Sequence, residues 1–262
     1  MTSHCLATFP KNCQFLADHL KNLAEQYRLL SPPHCRLALL DLRLLPPLIE
    51  QSGALTHLLS PAENNIFQQF HLDKRRLEWL GGRVAAKYCV HQLLGSNASP
   101  LLFHQYSIRA ATHGCPRLER ASVCRPDVAL SISHSRGYAA ALACQADKGS
   151  CGIDIQHLSP KLANVAERFT HEGELNLIDP LLAPLTRLGL IWTAKEAVKK
   201  CLLADHPLFF GKIQLTRIKY DWKLSLWTAQ CRVSQPAVMA ATVRIAEMDT
   251  YLVACATGDA HA

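Results

Sequence analysis

A polar break at Asp147-Lys148-Gly149-Ser150 divides the chain, and the pattern before it recurs after it. On each side helical periodicity comes first and strand-like apolar runs follow. The expectation is an α/β chain of the α+β type built from two similar halves, residues 1–149 and 150–262. Tyr138-Ala-Ala-Ala-Leu-Ala-Cys144 has a faint echo in Tyr251-Leu-Val-Ala-Cys255, which agrees with duplication without proving it.

Local signals fill in the halves. Residues 36–42 (RLALLDL) read as a short buried strand. Ser60-Pro61-Ala62-Glu63 supplies an N-cap, a proline at the first helical position and a capping-box glutamate. The helical pattern that follows runs to Gly95, too long for one ordinary helix. A second start at Asp73, with its own capping carboxylate, divides it. Val128–Ser133 and Tyr138–Ala143 flank a Ser135-Arg136-Gly137 turn and read as a hairpin. After the break a strand (CGIDI) leads into a helical region, Pro184 opens a helix to Leu203, and strands run from Phe209 to Cys255.

Composition closes several classes. Of 262 residues, 49% are hydrophobic and 19% are charged, which excludes intrinsic disorder. No apolar run approaches the ~20 residues of a spanning helix, so no membrane association is expected. The 28 Lys and Arg against 21 Asp and Glu give +7, which asks for an anionic partner without naming one. Eleven cysteines are scattered, odd in number and without a C-x-x-C pair. They favour neither a disulfide framework nor a zinc ribbon, and a reducing, cytoplasmic setting is expected. Charges spaced through the first 30 residues leave no signal-peptide core.

Four clusters carry chemistry. In DKRRLEWLGGRVAAK, Leu77, Leu80, Val84 and Tyr88 share one helical stripe, and Arg76, Arg83 and Lys87 share the stripe beside it. Lys74, Arg75 and Arg76 stand in the first turn, against the macrodipole. Such cations could grip phosphates, although a solvated basic face is the simpler explanation of this stripe taken alone. In Ser131-Ile-Ser-His-Ser135 the three serines share one strand face and His134 points away from it. In Gly152-Ile-Asp-Ile-Gln156 a carboxylate sits inside an apolar strand, where it needs a partner or a hard cation such as Mg2+. In Trp192-Thr-Ala-Lys-Glu-Ala-Val-Lys-Lys200, Glu196 and Lys200 are i, i+4 neighbours, a pairing that also serves plain helix stability. No Walker loop and no G-x-S-x-G elbow occurs.

In this order and spacing, GGRVAAK, SISHS, GIDIQ and WTAKEAVKK, with AERFTHEGE between the last two, resemble the 4′-phosphopantetheinyl transferases. The resemblance is to the larger, two-half type of surfactin and siderophore synthesis, and it covers about Lys74 to Lys200. It implies helices packed on a small, mainly antiparallel sheet in each pseudo-symmetric half, with the site at their interface. It implies transfer of the phosphopantetheine arm of coenzyme A to a serine of an apo acyl- or peptidyl-carrier protein, with Mg2+ (or Mn2+) and release of 3′,5′-ADP. Asp154 and Glu196 match metal-holding residues, Glu196 also the base for the carrier serine, and Lys200 the contact to the phosphates. Ser133, His134, Arg83 and Arg76 match coenzyme A contacts. The N-terminal half then supplies coenzyme A contacts and the C-terminal half metal and catalysis, within a monomer and with no nucleic acid partner.

Two departures stand out. Many relatives carry a second acid where this chain has Gln156, a weaker ligand that would act through water. Relatives also often place Lys or Arg where Cys115 stands in Gly114-Cys115-Pro116, with Arg117 the nearest replacement. Two other readings stay open: a nucleic-acid-binding module using helix 74–87, and a carrier-binding relative without catalysis.

Overall fold

The computed structural model describes residues 14–51, 53–95, 103–120, 123–204, 210–234 and 238–258. Cys5 and Cys13 lie outside them. Before the polar break come α1 (Gln14–Gln26), β1 (Cys35–Asp41), α2 (Pro46–Glu50), α3 (Ala54–Leu58), α4 (Pro61–Phe67) and α5 (Asp73–Leu94). Strands β2 (Tyr106–Ala110), β3 (Pro116–Arg120) and β4 (Val123–Cys124) follow, then the hairpin β5 (Val128–Ser135) and β6 (Tyr138–Gln145). After the break come β7 (Ser150–His157), α6 (Pro184–Leu202), β8 (Ile213–Asp221), β9 (Leu226–Val233), β10 (Met239–Met248) and β11 (Tyr251–Gly258).

All strand pairs are antiparallel, in sheets ordered β1-β6-β5, β2-β3-β4 and β7-β11-β10-β9-β8. This is the mixed helix and antiparallel-sheet architecture expected, with a sheet-bearing half on each side of the break. Helix α5 packs on β1 and β6, and α6 packs on β7 and β11. The continuous apolar runs of β6 and β11 follow from burial on both faces. Ala139, Ala141 and Ala143 face the core under α5, while Leu252, Ala254 and Ala256 face the core under α6. Their other faces meet in a third core between the halves, where Leu39, Ala140 and Leu142 pack with Ile153, Ile155 and Val253.

Duplication is visible in the registers. Asp41 opposes Tyr138, and His157 opposes Tyr251. The next N–H of each first strand, Leu42 and Leu158, bonds at 2.8 Å to Gly137 O and Thr250 O respectively. Above each pair the helix comes unusually close. A Cβ on Gly81 would lie 2.1 Å from Leu42 Cδ2, and one on Gly189 would lie 2.4 Å from Leu158 Cδ2. An alanine at either position would force the leucine tip beneath it to move.

The same buried ion pair recurs six residues along each helix. Lys87 on α5 donates to Glu63 and, at 2.9 Å, to Leu58 O; Lys195 on α6 donates to Glu174 at 2.8 Å and to Phe169 O at 2.7 Å. The second carboxylate oxygen of each glutamate accepts a strand N–H, Ile108 of β2 at 2.8 Å and Leu215 of β8 at 2.7 Å. All four charged groups are buried and each partner is satisfied, as burial of charge requires.

Local expectations met several differences. The capping box at Ser60 and Glu63 is formed. A helix does restart at Asp73, but its N-cap is Leu72 with no side-chain bond, and Asp73 instead lies 3.7 Å from Arg76. Residues 160–168 form 3-10 turns rather than an α-helix, opened by Pro160. Among the described residues no helix is long and apolar enough to cross a membrane, and the nine described cysteines are free thiols.

Candidate active site

The two halves meet along β5 and β7 through side chains rather than a backbone ladder. Ser131 Oγ accepts Ile153 N–H at 3.0 Å, and Ser135 Oγ accepts His157 N–H at 3.0 Å. Between them Ser133 Oγ donates to Asp154 Oδ1 at 2.8 Å. The strand alternation that puts three serines on one face therefore builds the joint itself. Opposite, Gly152 lets α6 press onto β7: a Cβ there would lie 2.0 Å from Ala197 O.

That close approach brings Lys200 down to the joint. Its ammonium donates to Asp154 Oδ1 at 2.8 Å and to Ser133 Oγ at 2.9 Å. The Asp154 side chain is 7% exposed and that of Lys200 26%. One turn earlier on α6, the Glu196 carboxyl is held above its ordinary range by burial and by the Asp154 charge, against the pull of Lys200 and Lys199. Ser133, Asp154, Glu196 and Lys200 thus converge, from two strands of different halves and one helix.

His134 points to the other side of β5, 3.7 Å from Glu78. Burial holds its imidazole below the ordinary value; Glu78 raises it, and Lys200, Arg75 and Lys74 lower it further. Lys74 and Arg75 are therefore the first-turn cations of α5 that face this side, a feature the helical pattern had left unresolved. Arg76 and Arg83 are not brought to Asp154. Arg76 lies 4.8 Å over the Phe67 ring and Arg83 3.6 Å over Trp79. Burial pushes Arg83 down to about 10, and the Nε atoms of both arginines are buried without a partner. Arg76 has Asp73 as its ion partner at 3.7 Å, whereas Arg83, among the described residues, donates only to Trp79 O at 3.4 Å, so of the two Arg83 is the one an anion would relieve more. Lys87, read with them as one cationic stripe, is instead the buried partner of Glu63.

A cleft of about 410 Å3 opens beside Lys200. It is lined by His113–Pro116, by Leu130, Ser131 and Ile132 of β5, and by Lys199, Lys200, Leu203 and Ala204 at the end of α6. Cys115 thus stands on the cleft wall, where it brings no charge, while Arg117 is exposed on β3.

Comparison with known proteins identifies this part of the chain. Residues 150–242 match the family model of the 4′-phosphopantetheinyl transferase superfamily. The holo-[acyl-carrier-protein] synthase of Bacillus pumilus is 34% identical over 100 residues, 38% of this chain and 82% of that one. The Streptococcus pyogenes synthase is 35% identical over 91 residues, 35% of this chain and 75% of its own. The chain belongs to the 4′-phosphopantetheinyl transferase superfamily. A solved Bacillus anthracis holo-(acyl-carrier-protein) synthase in complex with CoA (3′,5′-ADP) is similar at TM-score 0.37 and 23% identity, over 43% of this chain and 94% of that one.

The superfamily implies a divalent cation, and the joint suits one. Asp154 Oδ2 is buried with no hydrogen-bond partner, and the neighbouring Glu196 is disfavoured as an anion. Two carboxylates are a hard-cation donor set. Among the described residues no group of three or more His, Cys, Asp or Glu side chains could hold a metal. Gln156 Nε2 donates to His157 O at 2.8 Å, which leaves its amide oxygen as the end it can offer.

Proposed function

We propose that the chain transfers the 4′-phosphopantetheine arm of coenzyme A to a serine hydroxyl of an apo acyl- or peptidyl-carrier protein and releases 3′,5′-ADP. The observation that carries this reading is the convergence of Ser133, Asp154, Glu196 and Lys200 at one joint beside a cleft. The cleft volume falls in the ~300–1,000 Å3 range of small-molecule sites.

In the reaction a bond forms from the carrier serine oxygen to phosphorus, and the bond from phosphorus to the departing 3′,5′-ADP oxygen breaks. Such transfer depends on positioning and on neutralising charge. Lys200, fixed by Asp154 and Ser133, offers its ammonium to the pyrophosphate and to the leaving nucleotide. The Ser133 hydroxyl contacts the phosphates from the joint, and His134, with Lys74 and Arg75 near it, does so from the other side of β5. Arg76 and Arg83 serve the nucleotide phosphates from the adjoining face of α5. Glu196 takes the proton of the carrier serine. Its raised pKa brings it nearer the operating pH, where a general base works best. Asp154 and Glu196 would hold Mg2+, with Mn2+ in its place and Gln156 contributing through water; the bound ion supplies charge neutralisation at the pyrophosphate. In this division residues 1–149 provide coenzyme A contacts and residues 150–262 the metal and catalytic groups, within a monomer.

The test is incubation with coenzyme A, Mg2+ and a panel of apo carrier proteins. One phosphopantetheine mass increment on the carrier serine is expected. No increment across several diverse carriers would sink the catalytic reading. Strongly salt-dependent binding of DNA or RNA without coenzyme A affinity would select a nucleic-acid role for α5 instead.

A further inference from the structure

The transfer chemistry uses none of the eleven cysteines, yet three of them meet. Cys35 opens β1, Cys144 lies near the end of β6, and Cys151 lies near the start of β7. They are 4%, 2% and 3% exposed. The three sulfurs lie close enough for each to shift the ionisation of its neighbours. Cys151 Sγ also lies 3.6 Å from Leu142 O, and Cys144 Sγ lies 3.4 Å from Gly149 O.

Register singles out one pair. Cys35 and Cys144 are directly opposed across β1 and β6. The same ladder ends with Leu42 N–H on Gly137 O. Cys35–Cys144 is an odd number of steps from that bond, so it is a non-hydrogen-bonded pair. Such pairs hold their Cα atoms about 4.5 Å apart, within the ~4.4–6.8 Å that a disulfide spans. A bond between these sulfurs therefore needs little backbone movement. Cys151, on another sheet, is placed as a neighbour of Cys144 rather than as its cross-strand mate.

The surroundings narrow the chemistry further. Among the described residues no cysteine group could hold a metal. Hydrogen bonds from Cys151 and from Cys35 hold the Cys144 thiol well below its ordinary range, although burial opposes them. Of the three sulfurs Cys144 is therefore the one on which the negative charge of an attacking thiolate is best borne. The trio lies just beneath an exposed sheet end, since His34, Arg36, Gln145, Asp147 and Lys148 are exposed. A small neutral oxidant can pass there more readily than a bulky disulfide.

We propose that Cys144 and Cys35 form a peroxide-reactive pair that closes to an internal disulfide, with Cys151 holding the Cys144 sulfur in place. Cys144 sulfur attacks one oxygen of hydrogen peroxide; the O–O bond breaks, and hydroxide leaves and takes a proton to become water. Cys35 sulfur then attacks the sulfenic Cys144 sulfur; the S–O bond breaks and a second water leaves. Two thiols are oxidised to one disulfide, and one peroxide is reduced to two waters.

The experiment treats the full chain with stoichiometric hydrogen peroxide, alkylates the remaining thiols after unfolding, and maps peptides by mass spectrometry. The expected product has lost two hydrogen atoms and carries a Cys35–Cys144 crosslink. Cys144→Ser and Cys35→Ser each lose that crosslink, and Cys151→Ser forms it more slowly. Full alkylation of Cys35 and Cys144 in the treated wild-type chain, with oxidation confined to the exposed Cys124 or the half-buried Cys115, would overturn the proposal. A Cys144–Cys151 crosslink in place of Cys35–Cys144 would overturn the pairing. Both results are read from the wild-type peptide map, whatever the folding of the variants.

Discussion

The halves share a scaffold and differ in chemistry. Lys87–Glu63 in one and Lys195–Glu174 in the other tie a central helix to an edge strand with the same set of bonds. Counting from those lysines, Glu196 and Lys200 of α6 correspond to Tyr88 and Gln92 of α5. Counting from the Asp41–Tyr138 and His157–Tyr251 pairs, Asp154 corresponds to Ala38. Asp154, Glu196 and Lys200 are thus present once, on the C-terminal copy, and the N-terminal copy contributes Ser133 to the same joint. The second joint of the pseudo-symmetric pair is filled: Arg244 of β10 donates at 3.0 Å to Leu29 O and to Ser31 O, beside α1. A duplicated fold needs its buried ties twice and its reacting groups once.

Glu196→Gln, which removes the proposed base, should set the halves apart most strongly. Transfer should fall by roughly 10²–10⁴-fold, in line with general-base contributions, with a wild-type denaturation midpoint. Retained activity would refute the role of Glu196. Next, Lys200→Ala should cost roughly 10²–10³-fold, as loss of one electrostatic contact to the reacting group does. Its counterpart Gln92→Ala, on the exposed face of α5, should leave steady-state rates unchanged. Equal losses from the two variants would erase the asymmetry.

The shared scaffold has its own test. Lys87→Met and Lys195→Met each leave a buried carboxylate unpaired and should each destabilise by about 3–5 kcal/mol, measured by urea unfolding. Unequal losses would show that the ties are not equivalent. Smaller still, Gly81→Ala and Gly189→Ala overpack the two helix seats and should cost about 1–3 kcal/mol each.

The pH profile bears on the same asymmetry. Burial and Asp154 raise Glu196, so its proton-accepting form is lost as pH falls through a value above the ordinary 4.5. In the metal-free chain the Glu196 carboxyl should therefore titrate above that value when followed by NMR, and added Mg2+ should lower it. A metal-free titration at or below it would contradict the buried, Asp154-opposed setting of Glu196.

Much of this was legible in the sequence because the signals are local. The Ser60–Glu63 capping box, the 135–137 turn and the i, i+4 spacing of Glu196 and Lys200 each need only a few residues. The serine alternation of 131–135 placed one face correctly because strand period leaves no choice. What failed to show depends on partners far along the chain. A helical wheel grouped Lys87 with Arg76 and Arg83, but it carries no information on what faces each stripe. Lys87 faces Glu63, buried, and the arginines lie over Phe67 and Trp79. Glu174 sits in irregular backbone, so nothing periodic linked it to Lys195. Ser133 and Lys200 are 67 residues apart, and only the fold brings them to 2.9 Å.

Whether two similar halves hold a single site is decided by calorimetric titration of coenzyme A. One coenzyme A per chain is expected, with affinity weakened by Lys200→Ala and untouched by Gln92→Ala. Two coenzyme A molecules per chain, or weakening by Gln92→Ala instead, would contradict the one-site reading.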